Sequence, residues 1–119
     1  MPKVLIIDDQ MVMRSMFNKI LQPEGYDVTM AVDGQDGWEK AKDEDFDLIL
    51  SDYHMPHMNG VELCQKLRAS SRHQFTPILI VSTESNTSRK QEGRAAGASG
   101  WIVKPIKADV LLPALKRLT

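Results

Sequence analysis

The hydrophobic residues of this chain fall into short runs that are separated by longer, periodic stretches. Four runs are too short for helices and do not alternate with polar residues, which is typical of strands buried on both faces of a parallel sheet. They are Val4–Ile7, Leu48–Leu50, Ile78–Val81 and Trp101–Val103. A fifth run, Tyr26–Met30, alternates between hydrophobic and polar residues, and this predicts an edge strand covered on one face.

The stretches between these runs have the length and spacing of helices. After the first run, hydrophobic residues recur three and four positions apart and predict a helix with one buried face: Met13, Met16, Phe17, Ile20 and Leu21. Pro23 and Gly25 end this helix. Further helices are predicted over 34–42, 60–69 and 108–118. Their inward residues are Trp38 and Ala41 in the first, Val61, Leu63, Cys64 and Leu67 in the second, and Val110, Leu111, Leu115 and Leu118 in the third.

Two of the helical segments carry residues that weaken them. Segment 85–96 has to be helical by its position, but only its two alanines are available for burial, and Gly93 costs about 1 kcal/mol in helix propensity. We therefore expect this helix to be weakly docked and mobile. Pro113 removes one backbone hydrogen bond from the last helix, which predicts a late start or a kink.

Strands and helices alternate along the whole chain. This order predicts an α/β fold, in which an open parallel sheet has right-handed crossovers and helices on both faces. The length of 119 residues suits one domain.

The composition excludes several classes of protein. The chain has 15 basic and 16 acidic residues and a net charge of −1, so it lacks the basic excess of a general nucleic-acid or membrane-surface binder. Cys64 is the only cysteine, which excludes an intramolecular disulfide and a zinc site built from several cysteines. No apolar run approaches the roughly 20 residues of a membrane span, and no signal peptide opens the chain. We therefore expect a soluble cytoplasmic domain.

The charge is nevertheless uneven along the chain. Residues 1–83 hold 8 basic and 13 acidic side chains, whereas residues 84–119 hold 7 basic and 3 acidic ones. An acidic part and a basic part favour two different interactions, although chance in a short chain also produces such differences. Within the basic part, three side chains are candidates for binding an acidic or amphipathic partner: Lys90, Arg94 and Lys107.

Polar side chains follow four of the predicted strands at the points where the strands end. They are Asp8 and Asp9 after the first, Asp52 after the third, Ser82 and Thr83 after the fourth, and Lys104 with Pro105 after the fifth. Ligands of an open α/β sheet bind outside the carboxyl ends of its strands, so these groups are expected to meet. Clustered carboxylates require a proton or a cation, and oxygen ligands alone select Mg²⁺, with a phosphate nearby. Lys104 supplies a compact positive charge for a phosphoryl oxygen.

Each of these residues also has a simple structural explanation. Asp9 could cap the first helix, and Ser82 or Ser85 could cap the fourth. Lys104 could be a solvated strand end. Their joint occurrence is what favours a functional site.

The same residues resemble those of a response-regulator receiver domain, and the resemblance covers essentially the whole chain. The matching motifs are Asp8-Asp9, Ser51–Pro56, Met58–Gly60, Val81–Glu84, Gly97–Trp101 and Lys104-Pro105. The resemblance implies a flavodoxin-like, doubly wound sheet of five parallel strands in the order 2-1-3-4-5. It makes residues 1–119 one receiver domain, which is either a single-domain regulator of chemotaxis or phosphorelay type or a receiver excised from a longer protein.

The resemblance also implies a role for each matching residue. Asp52 accepts a phosphoryl group from the phosphohistidine of a sensor histidine kinase or phosphotransfer protein. Mg²⁺ is held by Asp8, Asp9, Asp52 and the backbone carbonyl of His54. Lys104 pairs with the aspartyl phosphate, and the hydroxyl of Ser82 moves to bond with it. The switch residues are Ser82, Thr83, Trp101 and Pro105, and the Lys104–Pro105 peptide bond is cis.

A protein of this kind is a signalling switch and not a turnover enzyme, because it catalyses only the phosphorylation and dephosphorylation of its own aspartate. The face formed by residues 84–119 then controls a downstream protein target or a fused output domain. No direct contact with nucleic acid or a membrane is expected.

Three other functions compete with this interpretation. A phosphatase of the haloacid-dehalogenase type requires Asp-x-Asp after the first strand, whereas Asp8 and Asp9 are adjacent. A flavin carrier of the same fold requires a phosphate loop rich in glycine and hydroxyl groups, and the acidic pair would repel the phosphate. A degenerate receiver that only binds partners is disfavoured by the presence of Asp52 and Lys104.

The remaining candidates receive structural interpretations. His57 and His73 are expected to be solvated loop residues. The side chain of His54 either faces the mouth of the site or is an exposed loop residue. Three methionines fall at core spacing: Met13, Met16 and Met30.

Overall fold

The computed structural model describes residues 1–118 and contains five strands that alternate with five helices. The strands are β1 (Lys3–Ile7), β2 (Asp27–Ala31), β3 (Leu48–Asp52), β4 (Ile78–Ser82) and β5 (Gly100–Val103). The helices are α1 (Met11–Leu21), α2 (Gly34–Ala41), α3 (Gly60–Arg68), α4 (Thr87–Ala95) and α5 (Ala108–Leu118). Every predicted strand and helix is confirmed, with ends that differ by at most two residues.

The five strands form one parallel sheet in the order β2-β1-β3-β4-β5. This confirms the predicted doubly wound, flavodoxin-like fold, with β2 at an edge of the sheet as its alternation predicted. The register aligns the carboxyl ends of the strands, since Asp52 lies opposite Val81 and Ser82 lies opposite Val103. The polar residues at these ends therefore share one edge of the sheet.

Helices cover both faces of the sheet and create two hydrophobic cores. Successive residues of a strand point to opposite faces, so the central strands contribute to both cores. One core contains Leu5, Ile7, Ile49 and Ile80, and the other contains Val4, Ile6, Leu50 and Val81. Burial on both faces explains why these strands have uninterrupted hydrophobic runs. Within residues 1–118, no helix combines the length and the hydrophobicity needed to cross a membrane.

The starts of α1 and α4 test the structural explanations that the sequence left open. Asn86 caps α4, since its side chain accepts a hydrogen bond of 2.8 Å from a backbone N–H in the first turn. Ser82 and Ser85 are therefore not the cap of this helix. Gln10 stands at the start of α1 and makes no side-chain capping bond, so Asp9 does not have this role either.

Three expectations about buried residues are wrong. Val103 of β5 is 37% exposed, so this second edge strand is not buried on both faces. Val110 of α5 and Met30 of the edge strand β2 are 54% and 40% exposed, so neither is a core residue. The inward face of α5 is formed by Leu111 and Leu115. Helix α5 begins at Ala108 although it contains Pro113. This excludes the late start, and the alternative effect of Pro113, a kink, stays a prediction.

His73 is fully buried, and its prediction as a solvated residue is wrong. Its Nε2 lies 2.6 Å from the carbonyl oxygen of Ala41, and its Nδ1 lies 3.0 Å from the hydroxyl of Thr76. The ring also stacks against Phe46, with 6.4 Å between the ring centroids. Because both ring nitrogens have partners, the imidazole can be buried without an unsatisfied polar group. His57, in contrast, is exposed as predicted.

Candidate functional site

Three aspartates meet where β1 and β3 end. Asp8 and Asp9 follow the last residue of β1, and Asp52 is the last residue of β3. One carboxylate oxygen from each of the three lies within 4.8 Å of the others. Asp8 and Asp52 are buried, whereas Asp9 is exposed. The structure thus brings together the three carboxylates that the sequence singled out.

Lys104 enters the same cluster from the segment after β5. Its Nζ lies 3.1 Å from Oδ1 of Asp52 and 3.5 Å from Oδ2 of Asp8. The Lys104 side chain is only 13% exposed, so solvent screens these pairs weakly. The ammonium is held between two buried carboxylates and is not a solvated strand end.

Burial dominates the electrostatics of Asp52. Loss of solvent raises the pKa of its carboxyl above the ordinary value, the neighbouring Asp8 carboxylate raises it further, and Lys104 lowers it in part. The single positive charge of Lys104 does not neutralise the negative charges of three carboxylates. The available ligands are carboxylate oxygens without sulfur or imidazole nitrogen, which is the donor set of a hard divalent cation. On its chemistry the cluster fits Mg²⁺.

A cavity of about 350 Å³, open to solvent, leads to the cluster. Its lining residues are Asp9, Gln10, Asp52, His54, Thr83 and Lys104. The buried Asp52 carboxylate is therefore accessible to a small molecule or to the side chain of a partner.

Ser82 ends β4 with its side chain fully buried. Its Oγ accepts a hydrogen bond of 3.0 Å from the backbone N–H of Glu84. The next residue, Thr83, is exposed and lines the cavity. The Ser82 hydroxyl thus has its partner within the β4–α4 loop in this conformation.

Trp101 links β5 with α4 and with the β4–α4 loop. Its indole Nε1 donates a hydrogen bond of 2.9 Å to the carbonyl oxygen of Glu84. Gly93 of α4 leaves room for the ring, because a Cβ at this position would lie 3.1 Å from Cε3 of Trp101. The Lys104–Pro105 peptide bond that follows β5 is cis, as expected.

Tyr53, Glu84, Arg89 and Glu92 form a network beside the site that the sequence prediction did not include. The Tyr53 hydroxyl accepts a hydrogen bond from Arg89 and donates one of 3.2 Å to Glu92. Arg89 also pairs with Glu84, with Nε 2.9 Å from Oε2. Tyr53 directly follows β3 and lies 36 and 39 positions from Arg89 and Glu92, so no local sequence pattern signals its contacts with α4.

The His54 side chain combines both interpretations of the sequence. It is 58% exposed, but it lines the cavity, and its Nε2 lies 2.9 Å from Oε1 of Glu84. Its ring also makes a T-shaped contact with the ring of Tyr53, with 4.7 Å between the ring centroids. His54 therefore stands at the mouth of the site and is tied to the β4–α4 loop.

The basic candidates of the last third of the chain lie at the surface. Lys90, Arg94 and Lys107 are all exposed. Lys90 and Arg94 border a shallow depression of about 240 Å³ that also includes Trp101. This part of the basic segment is available to a partner.

Comparison with known sequences gives a consistent result. The family model of the response regulator receiver domain matches residues 4–116. The response regulator ArlR of Staphylococcus saprophyticus is 37% identical over 118 residues, which are 99% of this chain and 52% of that protein. The ArlR protein of Staphylococcus aureus is 36% identical over the same length. The chain thus spans about half the length of the curated relatives it matches.

Solved structures agree with this result. The chemotaxis response regulator CheY4 of Vibrio cholerae has a TM-score of 0.95 at 44% sequence identity, with 100% of this chain and 99% of that chain covered. The receiver domain of the sensor histidine kinase PA1611 from Pseudomonas aeruginosa, which has a magnesium ion coordinated in its active site cleft, has a TM-score of 0.91 at 25% identity. That match covers 98% of this chain and 96% of the other.

Proposed function

Since the chain belongs to the response regulator receiver family, whose general function in two-component signalling is to accept a phosphoryl group, we propose that Asp52 is the residue that accepts it. The observation that carries this proposal is the position of the Asp52 carboxylate. It lies 3.1 Å from the ammonium of Lys104 and within 4.8 Å of the carboxylates of Asp8 and Asp9, at the end of a solvent-open cavity.

The surroundings of Asp52 supply the charges that phosphoryl transfer requires. A carboxylate is a weak nucleophile, but this reaction depends mainly on positioning and on neutralising the oxygens of the transferred group. Mg²⁺, which supplies positive charge to those oxygens, would be held by Asp8, Asp9, Asp52 and the backbone carbonyl of His54. The ammonium of Lys104, 3.1 Å from Asp52, supplies a second positive charge.

Phosphorylation gives Ser82 a new hydrogen-bond acceptor. A phosphoryl group adds a charge of about −1.5 to −2 and three strong acceptor oxygens. The Ser82 hydroxyl would turn from the backbone N–H of Glu84 to a phosphoryl oxygen and draw the β4–α4 loop with it. Thr83, Trp101 and Pro105 complete this switch, and α4 is the element that moves.

The phosphodonor in this proposal is the phosphohistidine of a sensor histidine kinase or a phosphotransfer protein. The basic face of residues 84–119 meets a downstream protein or a fused output domain; Thr119 itself lies outside the described residues. Residues 1–119 act as one receiver domain in the cytoplasm. The protein is not a classical enzyme, because its chemistry is confined to the phosphorylation and dephosphorylation of its own aspartate.

Labelling with acetyl phosphate and Mg²⁺ tests this assignment. The wild-type protein should form a hydroxylamine-sensitive adduct, and Asp52→Asn should abolish it. Asp43→Asn, which replaces an exposed aspartate before β3, is the matched control and should be labelled like the wild type. Undiminished labelling of Asp52→Asn would overturn the assignment.

A further inference from the structure

Arg89 is the centre of a set of contacts between α4 and the residues around Asp52. Its guanidinium carbon lies 4.9 Å from the centre of the Tyr53 ring, and one terminal nitrogen donates to the Tyr53 hydroxyl. Its Nε lies 2.9 Å from Oε2 of Glu84, and its Nη1 lies 3.6 Å from Oε2 of Glu92. One side chain of α4 therefore binds both the strand end next to Asp52 and the loop next to Ser82.

Glu84 connects Arg89 to the switch residues. One oxygen of its carboxylate binds Arg89 and the other binds His54. Its backbone N–H donates to Oγ of Ser82 at 3.0 Å, and its carbonyl oxygen accepts from the indole of Trp101 at 2.9 Å. A movement of the loop at Glu84 consequently has to break these contacts or carry their partners along.

Helix α4 has little else to hold it in place. Gly93 is its single buried residue, so the helix gains almost nothing from hydrophobic side-chain burial. Its polar contacts are therefore a large part of what positions it. Arginine suits this role, because its planar group donates in several fixed directions while its face stacks on an aromatic ring.

We propose that Arg89 is a positioning residue that holds α4 and the β4–α4 loop in the unphosphorylated arrangement by binding Tyr53 and Glu84 at the same time. This inference rests on the proposed function of Asp52 as the phosphoacceptor. Arg89 then sets the equilibrium between the two arrangements of the switch and has no direct part in phosphoryl transfer.

Loosening this contact should favour the phosphorylated arrangement even before Asp52 is modified. A ligand that binds one of two conformations has an apparent affinity reduced in proportion to the population of that conformation. Partly exposed ion pairs and cation–π contacts contribute modestly, so we expect Arg89→Ala to raise that population about fivefold. At 1.4 kcal/mol per factor of ten, this corresponds to about 1 kcal/mol.

The experiment titrates the protein with beryllofluoride, a mimic of the phosphoryl group on aspartate, in excess Mg²⁺. Trp38→Phe leaves Trp101 as the single tryptophan, and its emission reports binding. Arg89→Ala in this background should lower the half-saturating beryllofluoride concentration about fivefold. Arg72→Ala, which removes a partly exposed arginine paired with Asp45 at 2.9 Å in the α3–β4 loop, is the control and should leave the concentration unchanged. Loss of a merely structural contact would not tighten binding.

A second variant, Glu84→Gln, tests the route of the effect. If Arg89 acts through Glu84, the double variant should tighten binding by less than the product of the two single effects. Unchanged or weaker binding by Arg89→Ala, or fully multiplicative effects in the double variant, would overturn this inference and leave the role of Asp52 intact. If the wild-type protein does not bind beryllofluoride with Mg²⁺, the proposed function fails, and this inference fails with it.

Discussion

The residues around Asp52 are arranged at a cost to the stability of the fold. Asp52 and Asp8 are both buried and lie next to each other, and burial together with this neighbour raises the pKa of Asp52. Lys104 offsets part of this cost through its contacts of 3.1 and 3.5 Å with the two carboxylates. Repulsion that remains in the metal-free protein is available to favour a bound cation.

Asp52→Asn should therefore stabilise the protein when Mg²⁺ is absent. The amide has nearly the same shape but no charge, so it does not repel Asp8. We expect the free energy of unfolding to rise by about 1 kcal/mol in urea denaturation with EDTA, and Asp43→Asn to change it by less than about 0.5 kcal/mol. Mg²⁺ should stabilise the wild type more than Asp52→Asn, because the variant lacks one ligand. A loss of stability in EDTA would show that the pairing with Lys104 outweighs the repulsion.

His73 offers a prediction about stability away from the site. Replacement by asparagine leaves space beside Phe46 and cannot reach both Ala41 and Thr76, whose oxygens lie at opposite sides of the ring. We expect His73→Asn to lower the free energy of unfolding by about 2 kcal/mol or more. His57→Asn is the matched control, since His57 is exposed and has a φ of 70° that asparagine tolerates. If the two changes lowered the free energy of unfolding equally in urea denaturation, the burial of His73 would not explain the loss.

The two histidines also show what the sequence determines at the scale of residues. Asp8, Asp52 and Lys104 could be placed because each follows a hydrophobic run, and the end of a run marks the end of a strand. The burial of His73 depends on a carbonyl group contributed by the end of α2, which lies 32 positions away in the chain. The contact of Arg89 with Tyr53 spans 36 positions. Neither contact leaves a periodic pattern.

Among the elements, the strands were more predictable than the helix faces. A strand buried on both sides has to be hydrophobic at every position, so its run identifies it without knowledge of its neighbours. A helix buries only one stripe of side chains, and from one residue to the next the side-chain direction rotates by about 100° around the helix axis. In α5 the stripe is centred on Leu111 and Leu115, which leaves Val110 on its flank and exposed. Sequence periodicity finds such a stripe but not its width.

Helix α4 provides a prediction about Gly93. Alanine normally stabilises a helix interior by about 1 kcal/mol relative to glycine. At position 93, however, a Cβ would lie 3.1 and 3.2 Å from Cε3 and Cζ3 of Trp101, which requires the indole to shift. We expect these two effects nearly to cancel, so that Gly93→Ala changes the free energy of unfolding by less than about 0.5 kcal/mol.

Removal of the indole separates the two effects. In a Trp101→Ala background the new methyl group meets no ring, and Gly93→Ala should then stabilise the protein by about 0.7–1 kcal/mol in urea denaturation. The same small effect in both backgrounds would mean that Gly93 is not kept open for Trp101.

For the molecule as a whole, the uneven charge of the sequence acquires a spatial meaning. The acidic cluster lies at the carboxyl edge of the sheet, and Lys104, which belongs to the basic part of the chain, crosses into that cluster. Lys90, Arg94 and Lys107 stay at the surface. The basic part thus contributes both the cation that faces Asp52 and the charges that would face a partner. In the proposed function, the elements that connect the two places are α4, β5 and the β4–α4 loop.

The contacts of Glu84 offer a short path for this proposed connection. Its N–H binds Ser82 at 3.0 Å, and its carbonyl oxygen binds the indole of Trp101 at 2.9 Å. A hydroxyl that turns towards a phosphoryl group releases the N–H of Glu84 and permits the loop, with the indole attached to it, to move. A neutral hydrogen bond contributes about 1 kcal/mol, and one to a charged group about 1.5–3 kcal/mol. The difference between the two, about 0.5–2 kcal/mol, shifts a two-state equilibrium roughly twofold to thirtyfold.

Ser82→Ala should consequently uncouple the response of Trp101 from the event at Asp52. The variant keeps Asp52, Lys104 and the acidic pair, so labelling by acetyl phosphate with Mg²⁺ should stay within about threefold of the wild-type rate. In the Trp38→Phe background, the change in Trp101 emission at saturating beryllofluoride should fall to roughly half or less, because the bonded hydroxyl no longer favours the new arrangement. Ser85→Ala replaces an exposed serine of the same loop and should retain the full change. If the emission changes equally in Ser82→Ala and in the background protein, the hydroxyl is not the coupling group, and the loop must respond to the phosphoryl group by another contact.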